Sequence, residues 1–415
     1  MAGPAGEDER FDLIIGGGGF AGMALARAIA GALGEEVRIA IVDRPPPVAA
    51  AEDVRASAIS AGSANLLGAI GVWPAVTGEA QPVSRIEIGG ARVESPVRPV
   101  LLDYDNHTRE GEPASYILMN RLLHAALSRA VRAEPGITLV SGEAAVGFEA
   151  GEALAEVRLA SGRRLTAPLV VASEGRRSAL REAAGIKTVG WSYGQSGIVT
   201  TVRHERPHEG VAVQHFLPAG PFAILPLPGG LTSSLVWSER TETAERMMRL
   251  GDGDFLAEVA QRFGGRRGEI TLEGPRMSWP LEMHMSRSFV GPRIALLGDA
   301  ARGVHPIAGQ GLNLALRDVA ALAEVVSDTM RLGLDPGGAT ALARYQRWRR
   351  FDSVVSAGAM DGINRLFSND NSLLRAVRET GLRLVDRAPG LKRLIVEEAA
   401  GLVGDVPKLL KGLPV

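Results

Sequence analysis

The 415-residue chain contains no cysteine. Disulfides, thiolate metal sites and cysteine nucleophiles are excluded, and a reducing compartment is the natural setting. Lysine is nearly absent too. Lys187, Lys392, Lys408 and Lys411 are the only four, so arginine supplies nearly all of the 46 basic side chains. Acidic side chains number 47, and the net charge of −1 creates no global field to draw nucleic acid. No apolar run reaches the ~18 residues that a membrane-spanning helix needs. Met1–Arg10 is polar and acidic, without the basic and apolar regions of a secretory leader, so a cytoplasmic protein is expected. The seven histidines are scattered and suggest no metal centre. Aromatic residues make up only 5% of the chain.

The chain does hold 51 glycines and 46% hydrophobic residues, and its length exceeds one ordinary core. Phe11–Ile15 reads as a buried strand, Phe20–Leu33 as an Ala-rich helix, and Val37–Val42 as a second strand ending at Asp43. Ser60–Gly71 and Asn120–Arg132 read as helices. Val83–Leu102 and Ile137–Leu165 read as strands, the latter as three with a turn at Ala160–Arg163. Leu169–Ala172 is another buried strand. Successive alternating runs, Ile198–His204, Ala212–Leu217, Phe222–Leu227 and Leu231–Ser238, suggest an antiparallel sheet, followed by helices at Thr243–Leu250 and Asp254–Phe263. Arg293–Leu297 returns as a buried strand before the helix Leu312–Arg331. The expectation is an α/β fold in four parts. A Rossmann-like nucleotide domain (10–190) carries a small strand insertion at 80–118. An antiparallel-sheet substrate domain (191–285) follows, then the rest of the nucleotide domain (286–335) and a helical C-terminal region (336–415).

Gly17-Gly18-Gly19-Phe20-Ala21-Gly22 matches Gly-x-Gly-x-x-Gly between a strand and a helix, with Asp43 following Gly22 by 21 residues. Such glycines let the backbone approach a pyrophosphate, and the helix N-terminus offers unpaired N–H groups. Asp43 is placed to accept from ribose hydroxyls. A dinucleotide is indicated, without separating NAD from FAD. Arg44 beside Asp43 reads either as a contact to a 2′-phosphate or as an exposed loop residue.

A second glycine-rich loop lies far along the chain: Gly298-Asp299-Ala300-Ala301, then His305-Pro306-Ile307-Ala308-Gly309-Gln310-Gly311-Leu312-Asn313. It resembles the second FAD motif of class A flavoprotein monooxygenases, and within them the ubiquinone-biosynthesis hydroxylases of the 2-polyprenylphenol type. Asp53–Ala58, Ser60–Trp73, His208–Trp237, Asp361–Ser368 and Pro407–Gly412 resemble further blocks of that family in order. The resemblance implies FAD as cofactor. Gly17, Gly19, Phe20, Ala21 and Gly22 would meet the pyrophosphate and Asp43 the ribose, with Arg44 close by. Arg55 and Arg121 would stand beside the pyrophosphate or flavin. Gly175, Gly298 and Asp299 would line the ribityl chain, with Asp299 accepting from a hydroxyl or capping the helix that follows. Pro306 would lie on the flavin ring. Gly309, Gln310, Gly311, Leu312 and Asn313 would bring a helix N-terminus to its pyrimidine edge, where negative charge is stabilised by about 0.3–1 kcal/mol.

The implied reaction is aromatic hydroxylation with O₂ through a flavin C4a-hydroperoxide, fed by NAD(P)H or a ferredoxin-type donor. Gln195, His215, Phe216 and Pro226 are substrate-pocket candidates or ordinary sheet packing. His305 is either structural or catalytic, and no general base is assigned. Two positions depart from the family: Glu174 stands where Asp is usual, near Ser178 and Arg181, and Arg302 stands where His is usual. A polyprenylated substrate would draw the protein to the inner membrane. Leu391, Leu394, Ile395, Leu402, Leu409 and Leu410 among Lys392, Arg393, Lys408 and Lys411 form either a membrane-facing surface or core packing. The alternatives are a hydroxylase of a soluble aromatic compound, a non-catalytic member of a quinone-biosynthesis complex, and a nicotinamide dehydrogenase.

Overall fold

The structure is a computed structural model that describes residues 9–44, 52–90, 99–305, 309–367, 381, 382 and 384–415. Short, continuously apolar strands build its centre. Leu13–Gly16, Ile39–Asp43, Ile137–Ser141, Leu169–Ala172 and Ile294–Leu296 run parallel, with Val290–Gly291 antiparallel at one edge. Their side chains are almost wholly buried, as expected of a parallel sheet covered on both faces. The helices Phe20–Leu33 and Gln310–Arg331 pack against each other and against this sheet. A four-stranded sheet (Glu9–Arg10, Arg164–Ala167, Ala155–Leu159, Ala145–Ala150) adds Ala155, Val157, Leu159 and Leu165 to the same core.

The boundaries of Phe20–Leu33, Asn120–Arg132 and Leu169–Ala172 are those read from the sequence. The region after Ile137 differs. It holds four strands, because Ile137–Ser141 joins the parallel sheet and only the next three form the separate one.

The second sheet has nine strands. Its order is Arg302–Gly303, Met277–Ser286, Thr188–His204, Thr232–Arg240, Gly220–Pro226, Val211–Leu217, Arg85–Gly90 and Val100–Asp105, with Ile270–Leu272 paired to Thr188–His204 off that path. Alternation along these strands sorts their side chains into two faces. Ile198, Phe222, Ile224, Leu235 and Trp237 pack under the helices Thr241–Arg249 and Asp252–Phe263 with Met247, Phe255 and Val259. Val199, Ala212, Gln214, Phe216, Ala223, Leu225 and Val236 line the opposite face.

Two sequence boundaries dissolve here. Arg85–Gly90 pairs parallel with Val211–Leu217 and antiparallel with Val100–Asp105, so these two strands extend the large sheet. The expected division at 190/191 falls inside the 17-residue strand Thr188–His204.

The helix Ala339–Phe367 ties the two sheets together. Its Tyr345 is fully buried and donates to the Leu296 carbonyl oxygen at 2.7 Å. Removing that hydroxyl leaves a buried carbonyl with one partner fewer. Tyr345→Phe is expected to lower the unfolding free energy by about 1–3 kcal/mol in urea denaturation, with the fold retained.

Candidate active site

The first glycine loop is shaped by close approach. Gly17 has φ +105°, and a Cβ there would come within 2.4 Å of the Ser173 carbonyl oxygen. A Cβ on Gly22 would lie 2.0 Å from the Gly17 carbonyl oxygen. Gly19 precedes the helix Phe20–Leu33 with no side-chain cap, no acidic residue in the first turn, and open space around it. The helix N–H groups therefore face a cavity instead of a protein acceptor. Asp43, at the end of the neighbouring strand, accepts from the Gly18 N–H at 3.0 Å.

The second loop repeats this logic at the far end of the same cavity. Gly298 takes φ +57° and donates its N–H to Asp318. Asp299 follows, with its side chain exposed in the cavity. Burial lifts its carboxyl above the usual value, while His284, Arg176, Arg302 and Arg55 pull it down. Gly309 takes the left-handed conformation before the helix Gln310–Arg331, again without a side-chain cap. Gly311 has nothing near the position a Cβ would take.

Both ends open into one cavity of about 860 Å³. Of the sequence candidates, Gly19, Phe20, Ala21, Arg55, Gly175, Gly298, Asp299, Gly309, Gln310, Gly311, Leu312, Asn313 and Phe216 line it. Gly17, Gly22 and Asp43 support the wall from behind. Two uncapped helix N-termini, an arginine and an open aspartate fit the phosphates and ribityl chain of an extended dinucleotide. Arg55 is held in a two-pronged pair with Asp53 at 2.7 and 2.8 Å and lies over the Trp279 ring.

Several candidates sit elsewhere. Arg44 and Arg121 are exposed and outside the lining. Gln195 is buried away from the cavity, donating to the Ala219 carbonyl oxygen at 2.6 Å and accepting from Asn364. His215 and Pro226 fall on the wrong parity: their neighbours Gln214, Phe216 and Leu225 are the ones that reach the cavity. Asn313 lines the cavity, but its side-chain amide is spent within the protein. It accepts from Ser60 N–H and Ser63 Oγ and donates to the Ala58 carbonyl oxygen. Pro306 lies outside the described residues.

Other lining residues gave little sequence signal. Ser57 and Asn120 are hydrogen-bonded at 2.7 Å, and Arg176 pairs with Glu282 at 2.9 Å. Trp279 and Tyr104 come from strands whose inward face only the pairing reveals. The Trp-Pro pair at 279–280 in an alternating run was the available clue.

The two departures have structural roles. Glu174 accepts from Ser178 Oγ at 2.7 Å and Leu180 N–H at 2.9 Å, so the longer carboxylate caps the short helix Ala179–Ala183. Arg302 is buried and donates to Asp318 Oδ2 at 2.6 Å, while Arg349 donates to Oδ1 at 2.8 Å and to Asp352 at 2.7 Å. Arg302 thus joins an internal ion network behind the Gly298 turn. His305 is 1% exposed, lies edge-on to Tyr193 at 5.1 Å, and does not line the cavity. Burial drives its pKa down to about 4, opposed by the charge of Asp361.

A family match agrees with this geometry. Residues 10–350 match the FAD binding domain family, and the chain belongs to it. It is an FAD-dependent monooxygenase of the aromatic-hydroxylating type. Among proteins of known role, it is 41% identical to the ubiquinone hydroxylase UbiL of Rhodospirillum rubrum, over 98% of this chain and 94% of that one. It is 34% identical to the 3-demethoxyubiquinol 3-hydroxylase of Escherichia coli, over 94% and 98% respectively. The p-nitrophenol 4-monooxygenase PnpA of Pseudomonas putida shares the fold, with a TM-score of 0.78 at 16% identity over 96% of this chain and 99% of that one.

Two outcomes follow. Asp318→Asn leaves the buried Arg302 without its carboxylate and Arg349 with Asp352 alone, so unfolding is expected to become easier by about 3–5 kcal/mol, measured by urea titration. His305 binds its proton near pH 6.5 in an unfolded chain and near 4 in the native one. The unfolded state therefore holds more protons in that window, and stability is lost as pH falls through it. His305→Leu is expected to flatten this loss between pH 6.5 and 4, read from unfolding midpoints across the range.

Proposed function

We propose that the protein hydroxylates the aromatic ring of a polyprenylated phenol in ubiquinone biosynthesis. The observation that carries this reading is the wall opposite the two glycine loops. Val83, Ile86, Ile88, Leu102, Ile117, Leu225 and Leu281 make it apolar, and Tyr104, Asn106 and Gln214 are its polar residues. These wall residues bear no charge, and the cavity's two cations are already paired, Arg55 with Asp53 and Arg176 with Glu282, so the carboxylate of a small aromatic acid would be desolvated there without a free cationic partner. A neutral phenol with a hydrocarbon tail meets no such penalty. The names of the two bacterial relatives support the same choice of substrate.

FAD held here and reduced by a nicotinamide or protein donor would supply the O₂ activation that hydroxylation of the ring needs. One C–H bond becomes C–OH, the second oxygen leaves as water, and two electrons come from the donor. The protein's own groups do the rest. Gly19–Gly22 and Arg55 would hold the phosphates, and Asp299 would accept from a ribityl hydroxyl. The N-terminus at Gly309–Gly311 steadies negative charge at the ring edge. Burial pushes Tyr104 up to about 12, so its hydroxyl stays protonated and serves as a donor toward the substrate oxygen. The apolar wall keeps water from the reacting ring.

The protein would meet such a substrate at a membrane surface. No helix among the described residues is long and apolar enough to cross one. Leu391 and Leu394 are about half exposed beside Lys392 and Arg393, and Phe351, Val354 and Val355 are exposed near Arg347 and Arg350. This mixture suits peripheral attachment to an anionic bilayer. Leu409 and Leu410, by contrast, are buried in the core.

The FAD-loaded enzyme is expected to consume NAD(P)H and O₂ and to form a hydroxylated product from a polyprenylphenol, with no product from hydroxybenzoate. Turnover of hydroxybenzoate alone would overturn the substrate reading. In vesicle sedimentation with anionic lipid, Leu391→Ser/Leu394→Ser is expected to bind several-fold less than the parent. Equal binding would remove the membrane contact.

A further inference from the structure

A second cavity, of about 810 Å³, shares no lining residue with the first. The helices Gln310–Arg331 and Ala339–Phe367 bring Arg317, Arg344, Arg347 and Arg349 to it, and residues 403–407 line it as well. Ring hydroxylation leaves this space without a role. Its wall also holds Trp348 and three exposed apolar side chains, Phe351, Val355 and Val403. Such a mixture suits a ligand that is charged at one end and apolar at the other.

Four carboxylates, Glu324, Asp352, Glu398 and Asp405, line it too, so the charges of the wall sum to zero. Their pairing is uneven. Arg344 donates to Asp328 at 2.9 Å, and Glu324 accepts from the Lys408 N–H at 2.9 Å, so these two are engaged. Arg349 is 4% exposed. It donates through Nε to Asp318 and through Nη1 to Asp352, which fixes its guanidinium, while Nη2 has no hydrogen-bond partner. Arg317 meets the same Asp352 at 3.4 Å. Burial raises the Asp352 carboxyl, but Arg349, Arg317 and Arg302 bring it below its ordinary value, so the field around it is positive. Arg347 is exposed and forms no ion pair among the described residues. On the acidic side Asp405 is exposed and also unpaired, and Glu398 has only Arg317, at 3.9 Å.

We propose that this cavity seats the head group of an amino-phospholipid. The phosphate lies at Arg349 and Arg317, which already meet at Asp352, with the free Arg347 closing on it. The ammonium goes to Asp405 and Glu398, and the acyl chains lie over Phe351 and Val355. Three observations support it. A buried guanidinium N–H without an acceptor is costly, and a phosphate oxygen satisfies it in the directed way that an arginine fork favours. Unpaired cation and unpaired carboxylate line one space, so a ligand carrying both signs is matched and a simple anion is not. The apolar side chains of the same wall are exposed, which favours a lipid over a free phosphate ester. The placement of the chains rests on the membrane contact proposed above; the polar seat does not.

The test uses the full-length, FAD-loaded protein in calorimetric titration. The probes are dihexanoyl phosphatidylethanolamine below its micellar concentration, phosphatidylglycerol with the same chains, and free phosphoethanolamine. Phosphatidylethanolamine is expected to bind saturably and at least tenfold more tightly than either of the others. Arg347→Glu is expected to weaken it at least tenfold with flavin content unchanged. Arg350→Glu makes the same charge change on a neighbouring exposed arginine that does not line the cavity, and is expected to change it less than twofold. Asp405→Asn is expected to weaken phosphatidylethanolamine several-fold and to leave phosphatidylglycerol unaffected. No saturable binding, equal binding of the two lipids, or equal loss in Arg347→Glu and Arg350→Glu would overturn the seat. Phosphoethanolamine binding as tightly as the lipid would overturn the lipid assignment in favour of a soluble ester. A protein that binds the monomeric lipid but does not sediment with vesicles keeps the seat and loses the membrane contact. Sedimentation without saturable lipid binding does the reverse.

Discussion

One buried carboxylate organises the reactive end of the molecule. Asp318 is fully buried on the helix Gln310–Arg331 and binds Arg302 from the turn, Arg349 from the next helix, and the Gly298 N–H. Desolvating three charges is costly, and such a network is weak evidence for stability in itself. Its value here is position. The Gly298–Asp299 turn cannot slide relative to the helix whose N-terminus shares the cavity, because one side chain holds both. Arg302 reaches that carboxylate from three residues past the turn, a distance that its long side chain spans.

The same end leaves polar groups open for a ligand. Helices usually satisfy their first N–H groups with a side-chain cap. The short helix Ala179–Ala183 does so with Ser178, and Ala61–Ala69 with Ser60. The two helices that point into the cavity, Phe20–Leu33 and Gln310–Arg331, carry glycine there and no cap. Bare N-termini also occur at Asn120–Arg132, Thr241–Arg249, Asp252–Phe263 and Pro389–Ala400, so what suits these two to a ligand is the glycine-led opening of their ends onto the cavity. Foldability and function diverge at those two positions, as expected of a binding site.

Local signals made much of this legible in the sequence. Gly17 and Gly309 mark left-handed or tightly approached backbone that other residues rarely adopt, and the apolar runs at Leu13–Gly16 and Leu169–Ala172 are short and uninterrupted. Pairing between distant segments was not legible. Arg85–Gly90 finds its partner at Val211–Leu217, more than 100 residues away, and no local pattern announces it. The substrate wall failed on parity for the same reason. Alternation says that every second residue shares a face, but not which face looks inward. His215 was therefore placed on the wrong side, between the inward Gln214 and Phe216, while Gln195 shares the inward parity of Val199 but is engaged by the Ala219 carbonyl oxygen and Asn364. Arg302 was visible as an oddity, but its partner, Asp318, looked like one more polar helix residue.

The long strand Thr188–His204 has a mechanical consequence. It spans about 55 Å at the usual rise per residue and pairs with both Met277–Ser286 and Thr232–Arg240 over much of its length. It begins beside the parallel sheet and ends deep in the second one, so it acts as a beam and not as a linker. Two halves joined by a beam do not swing open like a book. Entry of a bulky molecule must instead pass between the elements that line the cavity.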